Sequence, residues 1–254
     1  MSKKLQELEF LAQKFRRDNS LNENEPIIFS NLLQKKNILT VYRPLSSGLS
    51  GMSIKIKTNE GQDNIQRFML INSNHSIGKQ HFTICHELYH LYYQENFTAA
   101  ISNAGKFDKR GDINEYRADM FAVYLLLPQW GVWNLIPEEE RAKNKITIGT
   151  ILAIEKYFAC SHSALLIRLV ELDLIDEQHK AQFQHGIKSY ARKLGFDTKL
   201  YEPGNHNKVI GNYGAMAYKA WDDGIISESS YMSLMKDLGV DVSKITLTDD
   251  NGEE

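Results

Sequence analysis

The most chemically informative stretch of the sequence is His86-Glu87-Leu88-Tyr89-His90, which lies in a segment with helical hydrophobic spacing. Residues four apart on a helix face the same way, so His86 and His90 can present two imidazole nitrogens to one metal ion. Glu87 lies about 100° around the helix from His86, where it can reach a water beside the ion but not the ion itself. The spacing predicts one Zn²⁺ per chain, with Glu87 as the general base.

A second segment with helical spacing supplies a pair of carboxylates, Glu115 and Asp119, again four residues apart. Two histidines and one glutamate are an established ligand set of catalytic zinc, so Glu115 is the predicted third ligand. Asp119 is predicted to accept a hydrogen bond from the outer ring nitrogen of a ligand histidine. The alternatives are two ordinary helical histidines, a solvated acidic face, and a zinc ion with a purely structural role.

The surrounding pattern predicts the elements that must position these residues. An amphipathic helix and a short helix come first, over residues 2–18 and 27–35. Three strand-like segments follow, at 38–42, 52–57 and 67–71, with a turn at 59–64. The remaining segments read as helices, at 76–94, 113–127, from Pro137, over 146–172 as a pair, at 215–222 and at 228–238. This order predicts an α+β fold, with an acidic, disordered tail at 249–254.

Composition excludes several classes of protein. The 254 residues carry a net charge of −2, which excludes a generally basic nucleic-acid-binding surface. Two cysteines cannot form a disulfide framework or a four-cysteine zinc site. The charged N-terminus does not resemble a signal peptide. The longest apolar run, residues 121–128, is far shorter than the ~20 residues of a membrane helix. We therefore expect a cytoplasmic protein without a membrane partner.

Three stretches around the candidate ligands share a wider pattern: QHFTICHELYH at residues 80–90, EYRADMFA at 115–122 and LLLP at 125–128. This pattern resembles the ImmA/IrrE family of zinc metallopeptidases, and the resemblance covers residues 28–172. It implies a gluzincin-like zinc peptidase core, a small mixed sheet plus the helices that carry both motifs. We expect this domain to span residues 1–176 and a partly helical extension to span 177–254.

The resemblance also implies a substrate class, namely helix-turn-helix transcriptional repressors that are cleaved under stress such as DNA damage. We therefore predict an intracellular zinc endopeptidase that inactivates a regulatory protein. The alternative is a regulator of the same fold that binds DNA or a repressor without cleaving it. The intact Glu87 favours the enzyme, because a protein that only binds does not need a base beside the metal.

Other residues have less specific interpretations. Candidates for stabilising the oxyanion are His162, Tyr89, Tyr93 and Arg117. Strand 67–71 is a candidate for pairing with an extended substrate.

Cys85 and Cys160 are predicted to be buried. The helix pair within 146–172 is predicted to pack in the core, because its second helix has one arginine. A local basic excess at residues 180–208 is a weaker candidate for nucleic-acid binding, comprising Lys180, Lys188, Arg192, Lys193, Lys199 and Lys208.

Overall fold

A mixed β-sheet forms one layer of the protein. The computed structural model describes residues 3–57 and 65–240. Its strands are β1 (Ile38–Arg43), β2 (Gly51–Lys57), β3 (Ile65–Asn72), β4 (Ala99–Ser102) and β5 (Val209–Ile210). They lie in the order β4-β2-β3-β1-β5, and β1 and β3 are parallel whereas the other pairs are antiparallel.

Eleven α-helices in the described part of the chain complete an α+β fold, as predicted. They are α1 (Lys3–Asp18), α2 (Phe29–Lys35), α3 (Ile77–Tyr93), α4 (Ile113–Leu126), α5 (Gln129–Asn134), α6 (Ile148–Phe158), α7 (His162–Glu171), α8 (Glu177–Phe183), α9 (Ile187–Lys193), α10 (Tyr213–Asp222) and α11 (Glu228–Asp237). No helix in the described residues has both the length and the apolar character needed to cross a membrane.

Several short elements differ from the predictions. The helix expected from Pro137 is a single 3₁₀ turn over Glu138–Glu140. Pro128, expected only to end α4, also starts α5 as its N-cap residue. Strands β4 and β5 and helices α8 and α9 were not predicted, because each has seven residues or fewer and its sequence pattern is correspondingly weak. The predicted turn at 59–64 and the tail at 249–254 lie outside the described residues.

Helices α3 and α4 pack against each other in the core and carry the predicted site residues. Ser76 is the N-cap residue of helix α3, and its hydroxyl accepts a hydrogen bond from the backbone N–H of Lys79 over 3.4 Å. Asp112 is the N-cap residue of helix α4, and its carboxylate accepts a hydrogen bond from the backbone N–H of Asn114 over 2.7 Å. Such side-chain caps satisfy backbone donors that have no partner within the helix, and they fix where each helix starts.

Two buried arginines cap the carboxyl end of α4. The Arg16 guanidinium donates to the carbonyl of Leu125 from Nε over 2.9 Å and from Nη2 over 2.6 Å. Arg168 on α7 donates to the carbonyl of Leu127 over 2.9 Å and forms an ion pair with Glu9 on α1. Helices α1 and α7 therefore hold the end of the helix that carries the candidate ligand Glu115.

The interior position of β3 contradicts one prediction. Strand β3 pairs with β1 on one side and with β2 on the other. Its backbone groups are already used in the sheet, so the hypothesis that residues 67–71 pair with a substrate is wrong. The edge strand beside β2 is β4, and within the described residues β4 pairs with β2 alone.

Two packing predictions are confirmed. Cys85 and Cys160 are fully buried, and burial raises the pKa of both thiols. In the pair α6–α7, the second helix buries Ala164, Leu165 and Leu169 in the core. Because these side chains are committed to packing, the pair does not present them to a nucleic-acid groove.

Residues 199–210 contact the N-terminal turn of α3 and the sheet. The backbone N–H of Ile77 donates to the carbonyl of Glu202 over 3.0 Å. The Gln80 side chain donates to the carbonyl of Gly204 over 3.0 Å, and β5 pairs with β1. Within the basic cluster, Lys188 forms an ion pair with Glu202 at 2.9 Å. The division of the chain at residue 176 and the nucleic-acid interpretation of the cluster both stay predictions.

Candidate metal centre

His86, His90 and Glu115 converge on one point between α3 and α4. The two imidazole Nε2 atoms lie 3.1 Å apart. The Glu115 carboxylate spans them, with Oε2 3.3 Å from Nε2 of His86 and Oε1 3.3 Å from Nε2 of His90. The three side chains form a cluster that can hold a metal ion. The structure therefore brings together the three residues that the sequence singled out as ligands.

Each imidazole is oriented by a hydrogen bond at its outer nitrogen. Nδ1 of His86 donates to Oδ1 of Asp119 over 2.8 Å, and Nδ1 of His90 donates to Oε1 of Gln94. Because carboxylate and amide oxygens only accept, each neutral ring has its proton on Nδ1 and an unshared pair on Nε2. Both unshared pairs then face the Glu115 carboxylate, and oriented outer partners of this kind are usual around metal-ligating histidines.

The spacing of these donor atoms fits a tetrahedral divalent metal such as zinc. Tetrahedral geometry with ligands at about 2.0–2.1 Å separates the donor atoms by about 3.3–3.4 Å. The two nitrogens lie 3.1 Å apart and each lies 3.3 Å from a different oxygen of Glu115, and these separations are close to that value. Moreover, four acceptor atoms this close repel one another unless a cation lies between them. The residues fit a metal both by spacing and by donor type.

The carboxylates give the cluster a preference for positive charge. Burial by itself would lower the pKa of His86, but the hydrogen bonds to Asp119 and Glu115 outweigh burial and raise that pKa to about 9. Burial of Glu115 opposes its ionisation, yet hydrogen bonds from Nε2 of His86 and His90, when a proton rather than a metal ion occupies those nitrogens, hold the pKa of Glu115 well below its usual range. The same negative groups that favour a proton on the imidazole also favour a metal cation in its place.

The cluster is buried on its histidine side and open on its glutamate side. His86 and His90 are 0% and 1% exposed, whereas the Glu115 side chain is 35% exposed. Glu115 lines a cleft of about 490 Å³ together with Ala100 and Ile101 of β4. Catalytic zinc sites keep one position open to water and substrate, whereas structural zinc sites are closed. This exposure favours a catalytic centre.

Glu87, the predicted base, is fully buried beside the cluster. Its carboxylate accepts hydrogen bonds from Ser53 on β2, over 2.6 Å, and from Ser102 on β4. Its negative charge contributes to the raised pKa of His86, so it lies within electrostatic range of the cluster. Gly51 leaves room for it, because a Cβ at that position would lie 3.1 Å from Oε1 of Glu87.

Comparison with known families places this arrangement in a wider group. The model of the peptidase M78 family, described as the IrrE N-terminal-like domain, matches residues 33–170, more than half of the chain. The chain belongs to the M78 family. A search of curated proteins gave no match. The matched segment of this M78 chain contains His86, Glu87, His90 and Glu115, and the family resemblance seen in the motifs is confirmed.

One oxyanion candidate of this M78 chain is engaged elsewhere. Nδ1 of His162 is bonded to the buried carboxylate of Glu155, and Nε2 donates to the carbonyl of Phe183 over 2.7 Å. A hydrogen bond to Glu155 raises the pKa of His162 in spite of its burial. Both ring nitrogens therefore have acceptors away from the metal cluster.

The other oxyanion candidates of the M78 chain also lie away from the cleft lining. Tyr93 donates to the carbonyl of Leu11 over 3.5 Å. The ring of Tyr89 packs edge-on against His90 and at a tilt against Phe121. Arg117 lines a separate cavity beside α1. The cleft is instead lined by Tyr116, the residue after Glu115. The position of Tyr116 next to a predicted ligand is the signal that could have identified it.

Three more residues of this M78 chain that hydrogen-bond to the predicted site residues were not predicted. Gln94 follows His90 by four residues, so helical spacing could have indicated it as the outer partner of that imidazole. Ser53 alternates with the apolar Met52 and Ile54 in β2, so the sequence pattern gives no signal for it, and only the structure shows that it is buried. Ser102 reaches Glu87 from β4, a strand that the sequence pattern does not predict, and no sequence signal identifies it.

Proposed function

We propose that this chain is a zinc-dependent endopeptidase that cleaves a regulatory protein. The observation that carries the proposal is the convergence of two imidazole nitrogens and one half-exposed carboxylate at 3.1–3.3 Å, with a second carboxylate buried beside them. Membership in the M78 family supports a protease-like domain. A purely structural metal would not need the open cleft at Glu115 or the adjacent Glu87.

Each residue of the site has a distinct role in this proposal. His86, His90 and Glu115 hold the zinc ion, which when bound polarises the scissile carbonyl and lowers the pKa of water. Asp119 and Gln94 keep the two imidazoles in the orientation and tautomer that binding requires. Glu87 takes a proton from the water that attacks the carbonyl carbon and gives it to the amine nitrogen as the C–N bond breaks.

The edge strand β4 is where we place the substrate backbone. Ala100 and Ile101 line the same cleft as Glu115, and Ile101 is 71% exposed. In the part of the chain that the structure describes, β4 pairs on one side only, so its other edge can accept an extended segment by strand addition. This position replaces the interior strand β3 as the proposed site of pairing.

The proposed substrate is a helix-turn-helix transcriptional repressor, cleaved in the cytoplasm in response to stress such as DNA damage. The support for this finer statement is the resemblance of the motifs to ImmA/IrrE peptidases together with the family match. Binding of a repressor or of DNA without cleavage is an outcome that the experiment below distinguishes.

The first test measures the metal. Purified protein is expected to hold one zinc per chain by elemental analysis, and His86→Ala, His90→Ala and Glu115→Ala are each expected to lose it. The matched control is His185→Ala, which removes an exposed histidine outside the cluster. Wild-type protein without stoichiometric metal after purification in zinc, or retention of zinc by all three variants, would contradict the proposal.

The second test measures cleavage. The chain is co-expressed with a candidate partner, a helix-turn-helix repressor, and the full-length partner is followed by immunoblot and by mass spectrometry of new N-termini. Loss of the partner is expected with the wild type and with Glu95→Ala, an exposed control just after α3, but not with Glu87→Ala. Equal loss with Glu87→Ala refutes the mechanism. Regulation without any new N-terminus refutes cleavage and supports the binding alternative.

A further inference from the structure

Two serine hydroxyls hold the Glu87 carboxylate from the sheet side. Ser53 Oγ on β2 donates to Oε2 over 2.6 Å, and Ser102 Oγ on β4 donates to Oε1. Ser53 and Ser102 are 0% and 2% exposed, and Glu87 is fully buried. The two strands are neighbours, so the sheet presents one donor to each carboxylate oxygen.

These hydroxyls are not needed for packing alone. A buried hydroxyl is costly unless it is hydrogen-bonded, and an alanine would fill most of the same space. Ser50, only a few residues away, shows the contrast, because it is also fully buried and its Oγ has no hydrogen-bond partner among the residues that the structure describes. Ser53 and Ser102 therefore differ from Ser50 in what they touch and not in how deeply they are buried.

The two bonds leave Glu87 fixed but still able to act. An ionised carboxylate has about four acceptor positions, two on each oxygen. One position on each oxygen is taken by a serine, and one on each remains for a water molecule. Ser102 belongs to the same strand whose Ala100 and Ile101 line the cleft. The strand next to the cleft thus also holds the carboxylate.

We propose that Ser53 and Ser102 are positioning residues that clamp the Glu87 carboxylate between the sheet and the metal cluster. This inference rests on the proposed function, in which Glu87 is the base. Catalysis depends steeply on geometry, and a misplacement of about 1 Å can lower a rate on the order of 10²-fold. Removal of one donor frees the carboxylate to rotate and lets it bond to water elsewhere.

The first experiment separates positioning from folding and metal binding. Ser53→Ala and Ser102→Ala are each expected to lower kcat for the cleaved partner about 10–100-fold. KM and the zinc dissociation constant are expected to stay within about threefold, because the hydrogen bonds of the two hydroxyls go to Glu87 and to the carbonyl of Gly51, neither of which is a predicted metal ligand. Ser53→Thr restores a hydroxyl and is expected to recover most of kcat, and the control Ser50→Ala is expected to match the wild type. Unchanged kcat in both alanine variants overturns the proposal.

The second experiment does not depend on any substrate. A double-mutant cycle compares the urea midpoint shift caused by Ser53→Ala in the wild-type chain and in Glu87→Ala, both metal-free. The midpoint shift is expected to be larger when Glu87 is present, because only then does Ser53→Ala leave a buried carboxylate without the donor at its Oε2 atom. Equal shifts overturn the clamp even if the protein is a peptidase. If the shift is larger with Glu87 present but the chain cleaves no protein, the hydrogen bond between Ser53 and Glu87 is confirmed. The proposed function and the catalytic role of the two serines are then both refuted.

Discussion

Asp119→Asn offers a sharp test of how the metal centre is supported, because Asp119 has three hydrogen-bond donors around it. Its carboxylate accepts from Nδ1 of His86 over 2.8 Å and from the backbone N–H groups of Gly105 over 2.6 Å and Phe107 over 2.8 Å. Asparagine has nearly the same shape, but its amide nitrogen cannot accept. At least one of the three donors must then face another donor, and the negative charge beside His86 is lost.

Two effects of known size follow. Mutation of the outer partner of a ligand histidine typically lowers metal affinity about 10–100-fold, which corresponds to about 1.4–2.7 kcal/mol, and here the change removes the negative charge beside His86. A buried donor left without an acceptor lowers the free energy of unfolding by about 1–3 kcal/mol, and this effect appears in the metal-free protein. We expect both the weaker zinc binding and the lower stability in Asp119→Asn. The zinc dissociation constant is measured by competition with a chromophoric chelator, and the stability of the metal-free protein by its urea midpoint.

The matched control makes the same chemical change on the same helix. Asp112→Asn replaces the N-cap of α4, where asparagine is as good a cap as aspartate, so zinc affinity and the urea midpoint are expected to match the wild type. If Asp119→Asn binds zinc within threefold of the wild type, Asp119 does not support the His86 ligand, and the interpretation of the cluster must be revised.

Three further predictions concern the surroundings of the site. Gly51→Ala is expected to push against Thr83, the carbonyl of Leu70 and Glu87 and to destabilise the chain by about 1–3 kcal/mol, measured by urea unfolding, with loss of cleavage; wild-type stability would contradict these close approaches. His162→Gln is expected to cost about 3–5 kcal/mol by leaving Glu155 buried without its charged partner. Because the pKa of His162 is raised in the folded state, the stability difference between the wild type and His162→Gln is largest below pH ~6.5. It shrinks as the pH rises through the folded-state pKa; a stability difference that grows with pH would refute the pairing. Arg16→Met is expected to lower the free energy of unfolding by about 1–3 kcal/mol for each carbonyl left unpaired, and thermal melting checks it; an unchanged melting temperature would show that these bonds contribute nothing.

The sequence predicts the site better than it predicts the fold around it. Spacing on two helices is a local property, so His86, His90, Glu115 and Asp119 can be assigned to one cluster from the order of residues alone. Their convergence needs the two helices to pack side by side, and the ligand set of a catalytic zinc site predicts that as well. The hydrogen bond from Nδ1 of His86 to Asp119 has the form expected of an outer partner.

The sheet was harder to predict, because its register and strand order depend on contacts far apart in the chain. Strand β4 reads Ala-Ala-Ile-Ser, a composition with weak strand preference, and only its pairing with β2 makes it a strand. In β2 the apolar residues Ile54 and Ile56 face a groove lined by α10, whereas Ser53 faces α3. Alternation shows that the strand has two faces but not which one is turned toward the metal helix, so the contact of Ser53 with Glu87 could not be predicted.

The contacts of residues 202–204 with the first turn of α3 have a consequence for how the centre matures during synthesis. A ribosome adds about 5–20 residues per second, so several seconds separate the emergence of Glu115 from that of Gly204. Until then Ile77 and Gln80 lack acceptors that the finished protein supplies. All metal-binding side chains are thus already translated while the start of their helix is still incomplete, and we expect nascent chains that stop before residue 199 to take up zinc more weakly than the full-length product.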